Sequence, residues 1–156
     1  MTAIGDLGAR LLRNRRLVRA PIWLFRARAG ALLGSRMLML EHVGRTTGQL
    51  RYVVLEVVDH PSVDTYVVAS GFGTKAQWFR NICANPNARV WVKSHRPAAA
   101  VARVLDQPAA DRALDTFRTR HPRYWDQFRH VVEETLGQPI GDTDIPLPMV
   151  ELRLER

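Results

Sequence analysis

A chain of 156 residues, 46% of them hydrophobic, is long enough to bury one core, and its formal net charge is +8 at pH 7. This composition argues against a disordered chain, and a single cysteine, Cys83, excludes an internal disulfide framework and fits a reducing cytoplasm. The histidines are scattered, and no Cys/His cluster has metal-ligand spacing. A structural metal site is therefore not expected.

The positive charge is concentrated near the N-terminus. Residues 1–36 contain eight arginines and one acidic residue, Asp6, whereas residues 37–156 contain 15 basic and 14 acidic residues. No apolar run has the length of a membrane span, and the apolar region of a signal peptide is missing. Nucleic-acid binding is the weakest interpretation of this charge, because the basic segment lacks the aromatic platforms of a single-strand binder.

The basic N-terminal segment has the pattern of amphipathic helices. Apolar residues recur at helical spacing over residues 4–19, with arginines between them, and Pro21 can begin a second helix over residues 22–33. Such a segment either packs across the domain with its arginines in water or lies on an anionic membrane surface. Under the second alternative, residues 1–33 would hold a cytoplasmic protein at the inner face of the cell membrane.

Residues 36–156 are predicted to form the main domain, preceded by the helical segment 1–35. Strands are predicted at residues 37–43, 51–58, 65–70, 89–93, 98–105 and 149–154, and helices at residues 74–84, 108–120 and 124–136. Residues 59–62 are predicted to be a turn. About six strands with hairpin links, and helices towards both ends, indicate an α+β protein with an antiparallel sheet or a small barrel.

The stretch Gly44–Gly48 joins the first two predicted strands. Its glycines permit positive φ, so that successive backbone N–H groups can point into one concavity. Arg45 and two threonine hydroxyls add charge and donors suited to a phosphate or a carboxylate. The alternative is an ordinary hairpin loop with a solvated arginine. No Gly-Lys-Ser/Thr ending leads into a helix, so the stretch is not a P-loop.

A second stretch, Ser70–Thr74, joins a predicted strand to a predicted helix. The N-terminus of that helix offers free N–H groups to an anion or a polar ring edge. Trp78 and Asn81 are three residues apart on the helix and share a face, which suits an aromatic heterocycle. The alternative is a plain turn, a core tryptophan and a capping-type asparagine. No catalytic triad is evident, so reactive chemistry would be that of a bound cofactor.

Three linked motifs, at residues 44–49, 68–73 and 78–86, carry a resemblance over about residues 35–154. In this order and spacing they resemble the deazaflavin-dependent nitroreductase family of actinobacterial oxidoreductases. The resemblance implies a split β-barrel that binds reduced coenzyme F420, an 8-hydroxy-5-deazaflavin with a phosphate and a polyglutamate tail.

The resemblance also implies which residues contact the cofactor. The turn that holds the phosphate and the acidic tail matches Arg45, Thr46 and Thr47. The strand beside it matches Arg51, Tyr52, Val53 and Val54. The loop that borders the deazaflavin ring matches Val68, Ala69, Ser70 and Gly71, and the helix segment that completes this wall matches Gln77, Trp78, Phe79, Arg80 and Asn81.

The chain departs from the family pattern at several positions. Thr46 stands where relatives have lysine or arginine, which removes one positive charge from the tail site. The tyrosine-rich stretch near the substrate is reduced to Tyr124, the candidate for substrate contact and proton donation. Residues 131–144 resemble an insertion beside the substrate region.

The predicted activity is hydride transfer from F420H2 to an electron-poor acceptor such as a quinone, an enone or a nitro compound. The alternatives are an FMN-dependent split-barrel oxidoreductase, since FMN also carries a phosphate, and a non-catalytic membrane- or lipid-binding module. A homodimer is compatible with either enzyme.

Overall fold

The computed structural model describes residues 37–70, 73–93, 95–141 and 146–155. The predicted N-terminal helices, the proposed membrane contact and Gly71 lie outside these residues.

Six antiparallel strands close into a barrel. The strands are β1 (Met37–Val43), β2 (Leu50–Ser62), β3 (Thr65–Ala69), β4 (Asn87–Val92), β5 (Ala98–Val104) and β6 (Met149–Leu154), and their order around the barrel is β1-β2-β3-β6-β5-β4. Closure pairs both edges of every strand, so no ladder edge is left to pair with another chain. The α+β split-barrel prediction is confirmed.

Within the described residues, three helices and a short 3₁₀ turn accompany the barrel. The turn covers Gly73–Lys75, and the helices are α1 (Gln77–Ala84), α2 (Gln107–Arg120) and α3 (Pro122–Leu136). None of the helices in the described parts of the chain is long and apolar enough to cross a membrane.

The barrel interior and the helical layer form two separate cores. Alternate strand residues such as Leu40, Val68 and Leu152 point inward, and Trp78, Phe79 and Ile82 of α1 join them, so α1 closes one end of the barrel. Outward residues of β2, β3 and β6 pack against α2 and α3 in the second cluster. The position of α1 matters most for function, because the β1–β2 turn lies at the same end of the barrel.

The two largest differences from the predicted boundaries are at the end of β2 and the start of α1. β2 continues through residues 59–62, predicted to be a turn, and the chain reverses at residues 63–64 instead. Register shifts on either side of Asp59 absorb the extra residues, and bulges of this kind tolerate a proline such as Pro61. α1 begins at Gln77 rather than at Thr74, because the 3₁₀ turn intervenes.

The predicted helices of the C-terminal half are confirmed with small shifts. The Asp106 side chain accepts a hydrogen bond from the backbone N–H of Ala109 and thereby caps α2, with Pro108 in its first turn. α3 begins at Pro122 and ends at Leu136, and the following residue, Gly137, caps it in the left-handed conformation with φ 72°.

Candidate functional site

The β1–β2 turn uses its two glycines in different ways. Gly48 has φ 70°, whereas a Cβ at Gly44 would lie 2.8 Å from Thr47 Oγ1. Most of the turn's amide groups bond within the protein: the N–H groups of Gly44 and Gly48 donate to Gln49 O and Gly44 O, and the Gln49 N–H donates to Thr47 Oγ1. The turn's own hydrogen bonds therefore use most of the N–H groups that were predicted to point into one concavity.

Arg45 is fixed to helix α1. Its Nη1 donates to Asn81 Oδ1 at 2.8 Å, its Nη2 donates to Gln77 Oε1 at 2.9 Å, and its backbone N–H donates to Asn81 Oδ1 at 3.1 Å. Both acceptors are neutral amides, so they orient the guanidinium without cancelling its charge. A guanidinium has five N–H donors, and those not used here can receive an anion. Two residues of the predicted helix segment, Gln77 and Asn81, are thus brought to Arg45 of the turn.

His42 determines which way the Asn81 amide points. Asn81 Nδ2 donates to His42 Nδ1 at 3.0 Å, so Oδ1 is turned towards Arg45. Burial, and secondarily the positive charge of Arg51, lower the pKa of His42 from 6.5 to about 4. His42 is therefore neutral near pH 7 and able to accept.

Sequence reasoning missed His42. The available signal was the alternation of β1, which places His42 on the same inward face as Leu38 and Leu40, where a buried polar group needs a hydrogen-bond partner.

The helix residues of the predicted ring wall are mostly buried in the protein. Trp78 and Phe79 are 7% and 8% exposed, belong to the barrel core, and meet edge to face with ring centroids 6.0 Å apart. Arg80 is exposed, and its Nε donates to Thr74 O. The core-tryptophan alternative describes Trp78 in this structure, whereas Asn81 is a buried link between elements and not a capping residue.

The described residues of the predicted ring-bordering loop, Val68, Ala69 and Ser70, are also buried. Val68 faces the barrel interior, and Ala69 packs in the outer core. Ser70 is fully buried, its Oγ donates to Gly73 O at 2.7 Å, and its N–H donates to Pro148 O. These side chains stabilise the loop from inside.

Strand β2 presents a row of side chains on the outside of the barrel. Val53 points inward, whereas Tyr52 and Val54 are half-buried on the outer face. The Tyr52 hydroxyl donates to Glu41 Oε2 at 2.9 Å, and Arg89 Nη1 lies 4.0 Å from Glu41 Oε1. Arg51 is exposed beside the turn.

Tyr124 lies at the far end of that row. Its hydroxyl donates to Glu56 Oε2 at 3.1 Å, and its ring meets Phe117 edge to face. Six residues of strand separate Glu56 from Leu50 at the turn, which corresponds to about 20 Å. The structure therefore brings Arg45, Gln77 and Asn81 together but holds Tyr124 apart from them.

The exposed predicted residues thus form an elongated arrangement. One end is the charged turn, where Thr46 and Thr47 are exposed next to Arg45. The outer row of β2 leads from it towards Tyr124. This shape suits an extended ligand with an anionic end.

Several solved structures share the barrel fold with this chain at low sequence identity. An F420-H2 dependent reductase (FDR-A) has a TM-score of 0.53 and 20% identity, over 76% of this chain and 94% of that one. A domain-swapped dimer has a TM-score of 0.52 and 19% identity, over 86% and 100% of the two chains. The heme storage protein HutZ from Vibrio cholerae has a TM-score of 0.53 and 14% identity, over 89% and 91%.

No curated protein matches the chain. The model of one protein family, F420H(2)-dependent quinone reductase, matches residues 17–139, which include the β1–β2 turn, α1 and most of the helical layer. The chain therefore belongs to the F420H(2)-dependent quinone reductase family.

Proposed function

We propose that this protein is an F420H2-dependent oxidoreductase that passes a hydride to an electron-poor small molecule such as a quinone, an enone or a nitro compound. Family membership supports the cofactor class. The single observation that carries the proposal is the guanidinium of Arg45, which Gln77 and Asn81 hold in a fixed position without neutralising it.

The turn fits the acidic part of the cofactor. Arg45 keeps its charge and unused donors, Arg51 is exposed nearby, and the hydroxyls of Thr46 and Thr47 can donate to a phosphate or a carboxylate. Because Arg45 is already oriented, little side-chain entropy is lost when an anion binds. Thr46 supplies no charge, so we expect a polyglutamate tail to be held less tightly than in relatives with a basic residue there.

The outer face of β2 is the proposed surface for the rest of the cofactor. When bound, the reduced deazaflavin would supply the hydride. Tyr52 and Val54 would orient the ligand along the strand and exclude water from it. The buried residues of the predicted wall, Trp78 and Ser70 among them, would act by holding the surrounding backbone in place.

Binding tests the proposal most directly. Fluorescence titration should show saturable binding of F420, and Arg45→Ala should weaken it about tenfold or more, since hydrogen bonds to charged groups contribute about 1.5–3 kcal/mol. The loss should be larger for long polyglutamate tails. Arg112→Ala, an exposed arginine on α2, is the matched control. Absence of F420 binding, or binding of FMN with its own visible spectrum, would contradict the proposal.

Tyr124 is the proposed contact for the acceptor and the proposed proton donor. Its hydroxyl donates to Glu56, so it must rotate away from Glu56 to give a proton to the acceptor. Tyr124→Phe should lower kcat for menadione reduction by about 10²-fold or more if it is the general acid, with little change in F420 affinity. An unchanged kcat would assign protonation to solvent.

A homodimer is a further prediction, and light scattering on the purified protein would test it.

Peripheral membrane contact through residues 1–33 also stays a prediction. Flotation of the full chain and of a version lacking residues 1–33 with anionic liposomes would test it.

A further inference from the structure

A cavity of about 600 Å³ lies at the end of the barrel that α1 closes. It is bounded by the 3₁₀ turn, the C-terminus of β5, the first turns of α2, the end of α3 and residues 146–149. Its volume falls within the range of pockets that bind small molecules, about 300–1,000 Å³.

Helix α1 separates this cavity from the β1–β2 turn. Gln77 and Asn81 contact Arg45, whereas Phe79 lines the cavity. At 3.6 residues per turn, Phe79 lies about 160–200° around the helix from those two residues. The cavity is also remote from Tyr124, because Leu136, which lines it, is twelve residues further along α3, or about 18 Å. The cavity is therefore distinct from the site proposed for the acidic part of F420.

The lining of the cavity is mainly apolar. The apolar side chains come from β5, α2, α3 and the segment before β6, and examples are Val104, Leu105, Ala110, Leu136, Leu147 and Met149. Neutral polar groups are supplied by Thr74, Gln107 and Gln138. An apolar interior with few polar groups at its edge is the usual character of a site for an apolar or amphipathic ligand.

Lys75 is the charged residue among those that line the cavity. It is exposed, and none of the residues that the structure describes forms an ion pair or a hydrogen bond with its ammonium group. Asp106, beside the lining residues Leu105 and Gln107, is engaged in capping α2 through the Ala109 N–H. A cation at the edge of an apolar cavity attracts a ligand whose apolar part is inside and whose single negative charge is outside.

We propose that this cavity binds an amphipathic molecule with a medium-length apolar chain and one anionic head group, the head group pairing with Lys75. The proposed ligand takes no part in hydride transfer, so this proposal does not rest on the F420 proposal. A carboxylate and a phosphate share the required chemistry, and dodecanoate and dodecyl phosphate are the corresponding probes.

The two lysines of the chain, Lys75 and Lys93, make a direct test available. Reductive methylation with ¹³C-formaldehyde labels both and keeps their positive charge. Titration with dodecanoate or dodecyl phosphate below the micelle concentration should shift the Lys75 resonance saturably and leave that of Lys93 unchanged. The larger shift identifies the preferred head group. No saturable shift, or equal shifts at both lysines, would overturn the proposal.

Two variants separate the roles of charge and cavity. Lys75→Gln should weaken dodecanoate binding about two- to fivefold in calorimetry, the scale of an exposed ion pair, and leave dodecanol binding unchanged. Val104→Trp should abolish the binding of dodecanoate and of dodecanol by filling the cavity. Val101→Trp changes an exposed position on the same strand outside the lining and should leave the binding of both ligands unchanged.

Val104 is 43% exposed, so a tryptophan there is compatible with folding. Should it unfold the protein, Gln138→Trp fills the same cavity from an exposed position. Unchanged dodecanoate binding by a folded cavity-filling variant would overturn the proposal, as would equally tight binding of dodecyltrimethylammonium. Arg45→Ala should retain dodecanoate binding, which distinguishes a failure here from a failure of the F420 proposal.

Discussion

The eight-residue helix α1 has two sides of opposite chemical character, one polar and one apolar. Towards the β1–β2 turn, Gln77 and Asn81 accept hydrogen bonds from Arg45, and Asn81 in turn donates to His42. Towards the cavity, Phe79 joins an apolar lining with Lys75 at its edge. The polar side orients a charge by fixed bonds, whereas the apolar side leaves a charge free among the described residues. One short helix can therefore serve a rigid anion site and an adaptable apolar one.

The largest expected effect comes from replacing Asn81, which links Arg45 to His42 on the polar side of α1. Asn81→Leu leaves the Arg45 N–H and His42 Nδ1 without partners, each at a cost of about 1–3 kcal/mol, so urea denaturation should show a stability loss of about 3 kcal/mol. F420 affinity should fall with it. Asn81→Asp is the control: it keeps acceptors for Arg45 but neutralises its charge, and neutral His42 can carry its ring proton on Nδ1 and donate it to the carboxylate. The Asp variant should fold and still lose F420 binding. Wild-type affinity in that variant would contradict the role given to the free charge of Arg45.

The polar side should also make stability depend on pH. Because burial and Arg51 lower the pKa of His42 from 6.5 to about 4, the unfolded chain binds more protons between these values, and stability falls as pH falls through this window. His42 should contribute up to about 2 kcal/mol of this loss. His42→Gln keeps an acceptor for Asn81 and should flatten the dependence measured by urea denaturation. Parallel curves for the two proteins would refute this assignment.

The smallest expected effects come from replacing one glycine at the β1–β2 turn and one glycine beside the cavity by alanine. Gly48 at the turn has φ 70°, Gly137 beside the cavity has φ 72°, and at neither would an added Cβ meet another atom within 4 Å. Alanine at either should cost about 1–2 kcal/mol through the left-handed backbone. F420 affinity should fall for Gly48→Ala and stay unchanged for Gly137→Ala. Equal effects on F420 binding would show that the two sides of α1 are coupled.

The local pattern of the chain was enough to predict most of the barrel and both long helices. Alternation of apolar residues predicted the strands, and the bounds predicted for α2 and α3 are within two residues of those in the structure. The errors occurred where the sheet distorts: the bulges of β2 carry the strand through Pro61, and the 3₁₀ turn delays α1. The bulges arise from the pairing of β2 with β3, and the 3₁₀ turn is held by hydrogen bonds between Gly73 and Ser70, features that apolar periodicity does not record.

For the site, the sequence by itself determined which residues have suitable chemistry: a rigid two-glycine turn with Arg45 at its tip, and a helix with Gln77 and Asn81 on one face. Only the tertiary structure decided what each residue does. Trp78 is buried in the barrel core, and Ser70 is buried against Gly73 and Pro148. The His42 contact orients Asn81, and the meeting of β5, α2 and α3 creates a cavity from residues that share no motif. The physical reason is that motifs record residue type and local spacing, whereas burial and hydrogen-bond partners are set by chain segments that meet only when the barrel closes.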